Sequence, residues 1–269
     1  MRRSSRISAY IGSLLLTVCL ALTGAATAQA SQLAASGPYV ALGDSYSSGV
    51  GAGSYISSSG SCNRSTNAYP YLWNAANSPS SFSFTACSGA RTDDVLANQL
   101  GPLNSATALV SITVGGNDAG FSDVMTTCVL QSDSDCISRI NTAKAYVDST
   151  LPGKLNNLYS TIRAKAPNAR VVVIGYPRFY LLGQFCLGLS EAKRSAINGA
   201  ADYIDAATAK IAANHGFVFG DVRTTFSGHE ICSGSSWLHS VNWLNIGESY
   251  HPTAAGHSGG YLPVFTKAA

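Results

Sequence analysis

The stretch VALGDSYSSGVG, Val40 to Gly51, sets a short apolar run against Gly-Asp-Ser and then a spray of small polar residues. The run reads as a strand, and the glycine and serine cluster as the turn that ends it. In open α/β sheets ligands collect outside the carboxyl ends of the strands, so this reading puts the Ser45 hydroxyl on a ligand rim.

Working outward, four more apolar, β-branched or aromatic runs follow: Phe82 to Ala86, Leu109 to Val114, Arg170 to Gly175 and Phe217 to Phe219. Helix-like patterns alternate with them at Thr92 to Leu100, Ile137 to Ala166 (broken near Pro152) and Ser190 to His215. Pro167 and Gly216 are helix stops. Strands alternating with helices predict an α/β fold, a three-layer α/β/α sandwich around a central parallel five-stranded sheet. The residues just after the strands then share one rim: Ser45 after the first, Gly89 after the second, Asn117 after the third.

The amino terminus has its own logic. Arg2, Arg3 and Arg6 precede an apolar stretch from Ile11 to Leu22 and a small-residue tail ending Ala28-Gln29-Ala30. This predicts a secretory signal peptide over residues 1–30 and one catalytic domain over 31–269. The apolar stretch is shorter than the roughly 20 residues of a membrane span, so no stable membrane anchor is expected. Of 17 Lys+Arg, removing these three leaves 14, equal to the 14 Asp+Glu. A neutral chain lacks the basic footprint of nucleic-acid binding, and a monomer is expected.

Of seven cysteines, Cys19 lies in the signal, leaving Cys62, Cys87, Cys128, Cys136, Cys186 and Cys232. An even number after an export signal reads as three disulfides, with connectivity open and the short Cys128 to Cys136 loop an easy local bridge. The spacing gives no metal site: there is no CxxC, and His229-Glu230 has no second histidine behind it.

A serine hydroxyl becomes a nucleophile when a base takes its proton, and the oxyanion it creates needs aimed donors. The Gly89 backbone N–H, the Asn117 amide and the N–H of Ser45 itself are candidate donors. Five histidines are candidate bases. His215, at a helix end, reads as a cap. Spacing alone does not separate His251 from His239 and His257. Asp44 reads as a cap for the turn rather than a chemical group. Trp237, Trp243 and Tyr250 are either core aromatics or the wall of an acyl groove. Gly256-His257-Ser258-Gly259-Gly260 fits the Gly-x-Ser-x-Gly elbow of another hydrolase fold, but that fold needs a histidine later in the chain and none follows Ser258.

Gly43-Asp44-Ser45, Gly89, Gly115-Gly116-Asn117-Asp118 and His251-Pro252 resemble the four ordered blocks of the SGNH (GDSL-type) hydrolases. The surrounding text (TACSGA, SITVGGNDAGF, YPR, ESYHPTAAGHSGGYLP) is similar to the secreted actinomycete lipases and esterases of that family. The resemblance implies a flavodoxin-like sheet, an extracellular ester hydrolase without cofactor, and a lipid or other ester as substrate. It implies Ser45 as nucleophile, His251 as base, and Ser45, Gly89 and Asn117 as oxyanion donors. It also implies sequential disulfides, Cys62 to Cys87, Cys128 to Cys136 and Cys186 to Cys232. Most members carry Asp three residues before the histidine, where this chain has Glu248. The imidazole is then oriented either by Glu248 or by the main-chain carbonyl of Ser249, and the resemblance favours the carbonyl. Triacylglycerol lipase or esterase is the leading expectation. Phospholipase A1, a carbohydrate O-acetyl esterase and a non-catalytic binding module are the alternatives.

Overall fold

In the computed structural model residues 37–269 are described; the signal peptide expected over residues 1–30 lies outside them. Five strands form one sheet: β1 Pro38–Gly43, β2 Ser81–Phe84, β3 Leu109–Thr113, β4 Arg170–Ile174 and β5 Val218–Gly220. All pairings are parallel and the spatial order is β2-β1-β3-β4-β5. That is the flavodoxin-type winding, with a switch point where β1 and β3 lie side by side. Val40 pairs with Val110 and Gly43 with Thr113 there, so the ends of the first and third strands share one edge.

A parallel sheet covered on both faces needs apolar side chains on both, which is why β3 is buried along its whole length. One helix layer comprises α3 Thr92–Asn98, α4 Phe121–Leu130, α5 Asp133–Ser149, α6 Leu151–Lys165 and α7 Glu191–Asn214. The other packs α2 Tyr69–Asn77 on the carboxyl-terminal α8 Leu262–Ala268. There Tyr39 of β1 meets Trp73 and Phe265. A four-residue helix, α1 Ser45–Ser48, follows β1 directly. No helix among the described residues is long and apolar enough to cross a membrane.

The long pattern expected from Ile137 begins at Asp133, because Ser132 and Asp135 cap each other's backbone N–H groups. Its break falls at Thr150, and Pro152 sits in the first turn of α6, where a missing N–H costs nothing. Three disulfides join Cys62 to Cys87, Cys128 to Cys136 and Cys186 to Cys232, the sequential pairing that the resemblance implied. Such bridges form in an oxidising compartment.

Loop-closure entropy ranks these bridges. The 46-residue separation of Cys186 and Cys232 predicts about 4 kcal/mol of stabilisation and the 8-residue separation of Cys128 and Cys136 about 2.5 kcal/mol. Paired Cys→Ser variants compared by denaturant unfolding are expected to show that order.

Candidate active site

The chain turns out of β1 through Gly43, at φ +122, where a Cβ would stand 2.4 Å from the Thr113 carbonyl oxygen. Only glycine fits that approach. Gln99 brackets the same residue, its Oε1 accepting from the Gly43 N–H at 2.7 Å and its Nε2 donating to the Gly43 carbonyl at 2.9 Å. Asp44 then caps α1, accepting from the Tyr46 N–H at 3.0 Å. Its carboxylate also accepts from Thr113 Oγ1 at 2.6 Å and from the Tyr176 hydroxyl at 2.5 Å. Burial pushes the Asp44 carboxyl up to about 6, and these donors hold it from rising further. Asp44 thus supports the turn that presents Ser45.

Ser45 Oγ lies 2.7 Å from His251 Nε2, across 206 residues of sequence. On the far side of the ring, His251 Nδ1 is 3.0 Å from the Ser249 carbonyl oxygen. A carbonyl can only accept, so Nδ1 carries the proton and Nε2 offers its lone pair to the serine. Glu248 is turned away, its Oε1 accepting from the Tyr55 hydroxyl at 2.9 Å. Burial depresses His251 to about 4, the Ser249 carbonyl opposing that shift.

A tight turn sets this ring. The His251 N–H donates to the Glu248 carbonyl at 3.1 Å, with Ser249 at φ −55, ψ 134 and Tyr250 at φ +66. This is a type II turn with tyrosine where glycine is usual, a strained choice. Two contacts hold it: Tyr46 donates its hydroxyl to the Tyr250 carbonyl at 2.6 Å, and the Tyr180 hydroxyl donates to that of Tyr250 at 3.1 Å. The loop docks on Gly51, at the end of the opening stretch, where a Cβ would come within 3.0 Å of the His251 Cβ.

The donors meet at the same rim. Asn117 Nδ2 donates one hydrogen to the Ala90 carbonyl at 3.0 Å, which ties it to the Gly89 turn and leaves the other free. Among the described residues, neither the Gly89 nor the Ser45 N–H has a protein acceptor, and a Cβ at Gly89, at φ +77, would meet nothing within 4 Å. Asp118 hooks the Asn117 loop onto α3, accepting from the Thr92 N–H at 3.0 Å and Thr92 Oγ1 at 2.6 Å. From Ser45 and Asn117 an apolar cleft runs between α4, α5 and α7, lined by Phe121, Val124, Met125, Val147, Ile197 and Ile204.

The other histidines are engaged elsewhere. His239 Nε2 contacts the Gly51 carbonyl at 2.8 Å, His257 Nδ1 accepts from the Tyr69 N–H at 3.3 Å, His215 meets Asn156, and His229 stacks on Trp237 at 3.6 Å. Trp237 is half-buried against the core, Trp243 is exposed, and neither walls the cleft, which the helices build instead. Ser258 is exposed in a π-helix, Gly256–Tyr261, with no strand before it. No cluster of three or more metal-ligating side chains occurs among the described residues.

Sequence reading missed Tyr176. Its hydroxyl donates to Asp44 and accepts from the Gly116 N–H at 3.1 Å, so one phenol fixes both the serine turn and the loop that carries Asn117. Its signals were its place just after the fourth apolar run and the YPR stretch, which gave it no role. Tyr176→Phe deletes a charge-assisted bond of about 1.5–3 kcal/mol, and steady-state kinetics are expected to show kcat down about ten- to a hundredfold with KM little changed.

The model of the GDSL-like Lipase/Acylhydrolase family matches residues 41–258. Lipase 1 of Streptomyces coelicolor is 73% identical over 99% of this chain and 100% of its own length. Among solved structures, phospholipase A1 from Streptomyces albidoflavus superposes with a TM-score of 0.86 at 67% identity, covering 87% of this chain and 100% of that one. The extracellular lipase from Streptomyces rimosus gives 0.85 at 64%, with the same coverage of 87% and 100%.

Proposed function

Because the chain belongs to the GDSL-like Lipase/Acylhydrolase family, we propose that it cleaves carboxylic esters of lipids outside the cell through an acyl-enzyme on Ser45. The observation that carries this reading is the 2.7 Å contact of Ser45 Oγ with His251 Nε2, the histidine being held by a neutral carbonyl. Ser45 Oγ attacks the ester carbonyl carbon as its proton passes to His251 Nε2. The carbonyl oxygen, now an anion, accepts from the Ser45 N–H, the Gly89 N–H and the free Asn117 amide hydrogen. The tetrahedral species collapses, and Nε2–H protonates the departing alcohol. Water enters, loses a proton to Nε2 and attacks the acyl carbon, which frees the acid and restores Ser45. The Ser249 carbonyl keeps Nδ1–H oriented throughout.

The apolar cleft at Ser45 suits an acyl chain better than a sugar. Triacylglycerol lipase or esterase is the first reading, in keeping with the relatives called lipase. Phospholipase A1 activity is the second, favoured by the relative so described. Three disulfides and the arginine-led apolar leader support secretion. The deciding measurement is hydrolysis of a chain-length series of glycerides beside a phosphatidylcholine, with Ser45→Ala as control. Loss of all ester cleavage in Ser45→Ala is expected; activity that survives in it refutes the assignment.

Two further outcomes are expected. Asn117→Ala lowers kcat about a hundred- to a thousandfold, while Glu248→Gln leaves it nearly unchanged; a fall of several orders in Glu248→Gln would favour a carboxylate orienter. The base works when neutral, and His251 is neutral above about 4, so kcat/KM on a soluble ester holds its plateau down to mildly acid pH and falls through a limb near 4. A limb near 6 would report Asp44 instead.

A further inference from the structure

Two loops at the carboxyl edge of the sheet carry no acidic or basic residue apart from His239: residues 179–190 after β4 and residues 231–247 after β5. The five most exposed large apolar side chains among the described residues all stand on them. Leu244 is fully exposed, Phe185 and Leu187 are each 88% exposed, Trp243 71% and Ile246 63%.

The stems beneath these tips are firmly built. Cys186–Cys232 staples one loop to the other, and a parallel bridge joins Tyr180 to Ile231. The buried Arg194 donates to the Leu181 carbonyl at 3.1 Å, and Asn242 Oδ1 accepts the N–H groups of Leu244 and Asn245 at 3.1 Å each. The tips are thus held out rather than left loose. Between the loops runs a groove lined by Tyr180, Leu187, Val241, Trp243 and Tyr250. Tyr250 precedes His251 and its ring meets that of Phe179, which lines the cleft at Ser45, at 6.2 Å between centroids, so the groove lies beside the reactive site.

We propose that the two stapled loops seat the protein on the uncharged or zwitterionic surface of aggregated lipid, beside Ser45, with Phe185, Leu187, Trp243 and Leu244 entering the interfacial layer. The inference rests on the lipid-ester reading above. A contiguous exposed apolar patch marks an interaction site. Its chemistry selects the occupant. Loops without fixed charge gain nothing from an anionic surface, and the charged rim of a folded protein partner would find no ion-pair partner on them. Tryptophan among aliphatic tips suits the headgroup boundary, where apolar area entering the layer drives binding.

The test uses the full protein in two backgrounds. With Ser45→Ala, which leaves vesicles intact, co-sedimentation with phosphatidylcholine vesicles is compared with the same protein carrying Phe185→Ser, Leu187→Ser and Leu244→Ser. Partitioning is expected to weaken at least about tenfold. With Ser45 present, the triple variant is expected to keep its kcat/KM on a monomeric soluble ester and to lose rate on vesicles in proportion; the soluble-ester rate also verifies folding. Undiminished vesicle binding in the triple variant, no binding in Ser45→Ala alone, binding that requires anionic lipid, or a patch-dependent dimer without vesicle binding each overturns the proposal. Failure of the unmodified protein to cleave the soluble ester sinks the ester-hydrolase reading instead.

Discussion

Asp44 is a buried carboxylate with no ion-pair partner among the described residues. Taking such a group out of water costs several kcal/mol unless hydrogen bonds replace the lost hydration. Its donors come from the helix it caps, from the end of β3 through Thr113 and from the segment after β4 through Tyr176. Those elements also carry Ser45 and the glycine loop of Asn117. Satisfying one carboxylate therefore fixes the relative positions of the serine and its neighbours, and a shift in any of the three strand ends strips it of a donor. Polarity at this point provides geometry, which an apolar residue of the same volume would not.

The histidine follows a different economy. A carboxylate beside Nδ1 would raise its affinity for a proton and stabilise the imidazolium formed during attack. A carbonyl supplies a partial charge, so burial prevails and the ring stays neutral down to about 4. In the proposed mechanism this base is weaker but ready from mildly acid pH upward. More of the transition-state stabilisation then falls on the proposed oxyanion donors, at the start of α1, in the Gly89 turn and in the loop of Asn117.

The parts legible in the sequence are those with a local cause. Apolar runs gave all five strands to within two residues, the small residues after them marked the rim, and the short polar side chain at Asp44 announced a cap. What escaped depends on partners far along the chain. Helices α2, α4 and α8 are short and carry no side-chain cap, and a proline in the first turn of α2 and of α8 is a slight local signal. The apolar cleft arises where α4, α5 and α7 meet, whereas the nearby tryptophans suggested a different wall. Tyr176 is an ordinary aromatic until the sheet brings it to Asp44. Glu248 and Ser249 could not be ranked by composition, since the choice turns on a main-chain turn and on the hydroxyl of Tyr55, nearly two hundred residues earlier.

An orienting group made of main chain has no codon. Every substitution at position 249 other than one that distorts the turn keeps the same carbonyl, so in the proposed mechanism the histidine's partner is shielded from single mutations in a way that an aspartate is not. Vulnerability moves to the side chains that hold the carbonyl in place. Inactive variants collected by random mutagenesis should then cluster at Tyr46 and Tyr250, whose contacts hold the turn, and a change at position 249 should act only through the turn, where the buried Ser249 Oγ accepts from the Asn242 N–H at 2.8 Å.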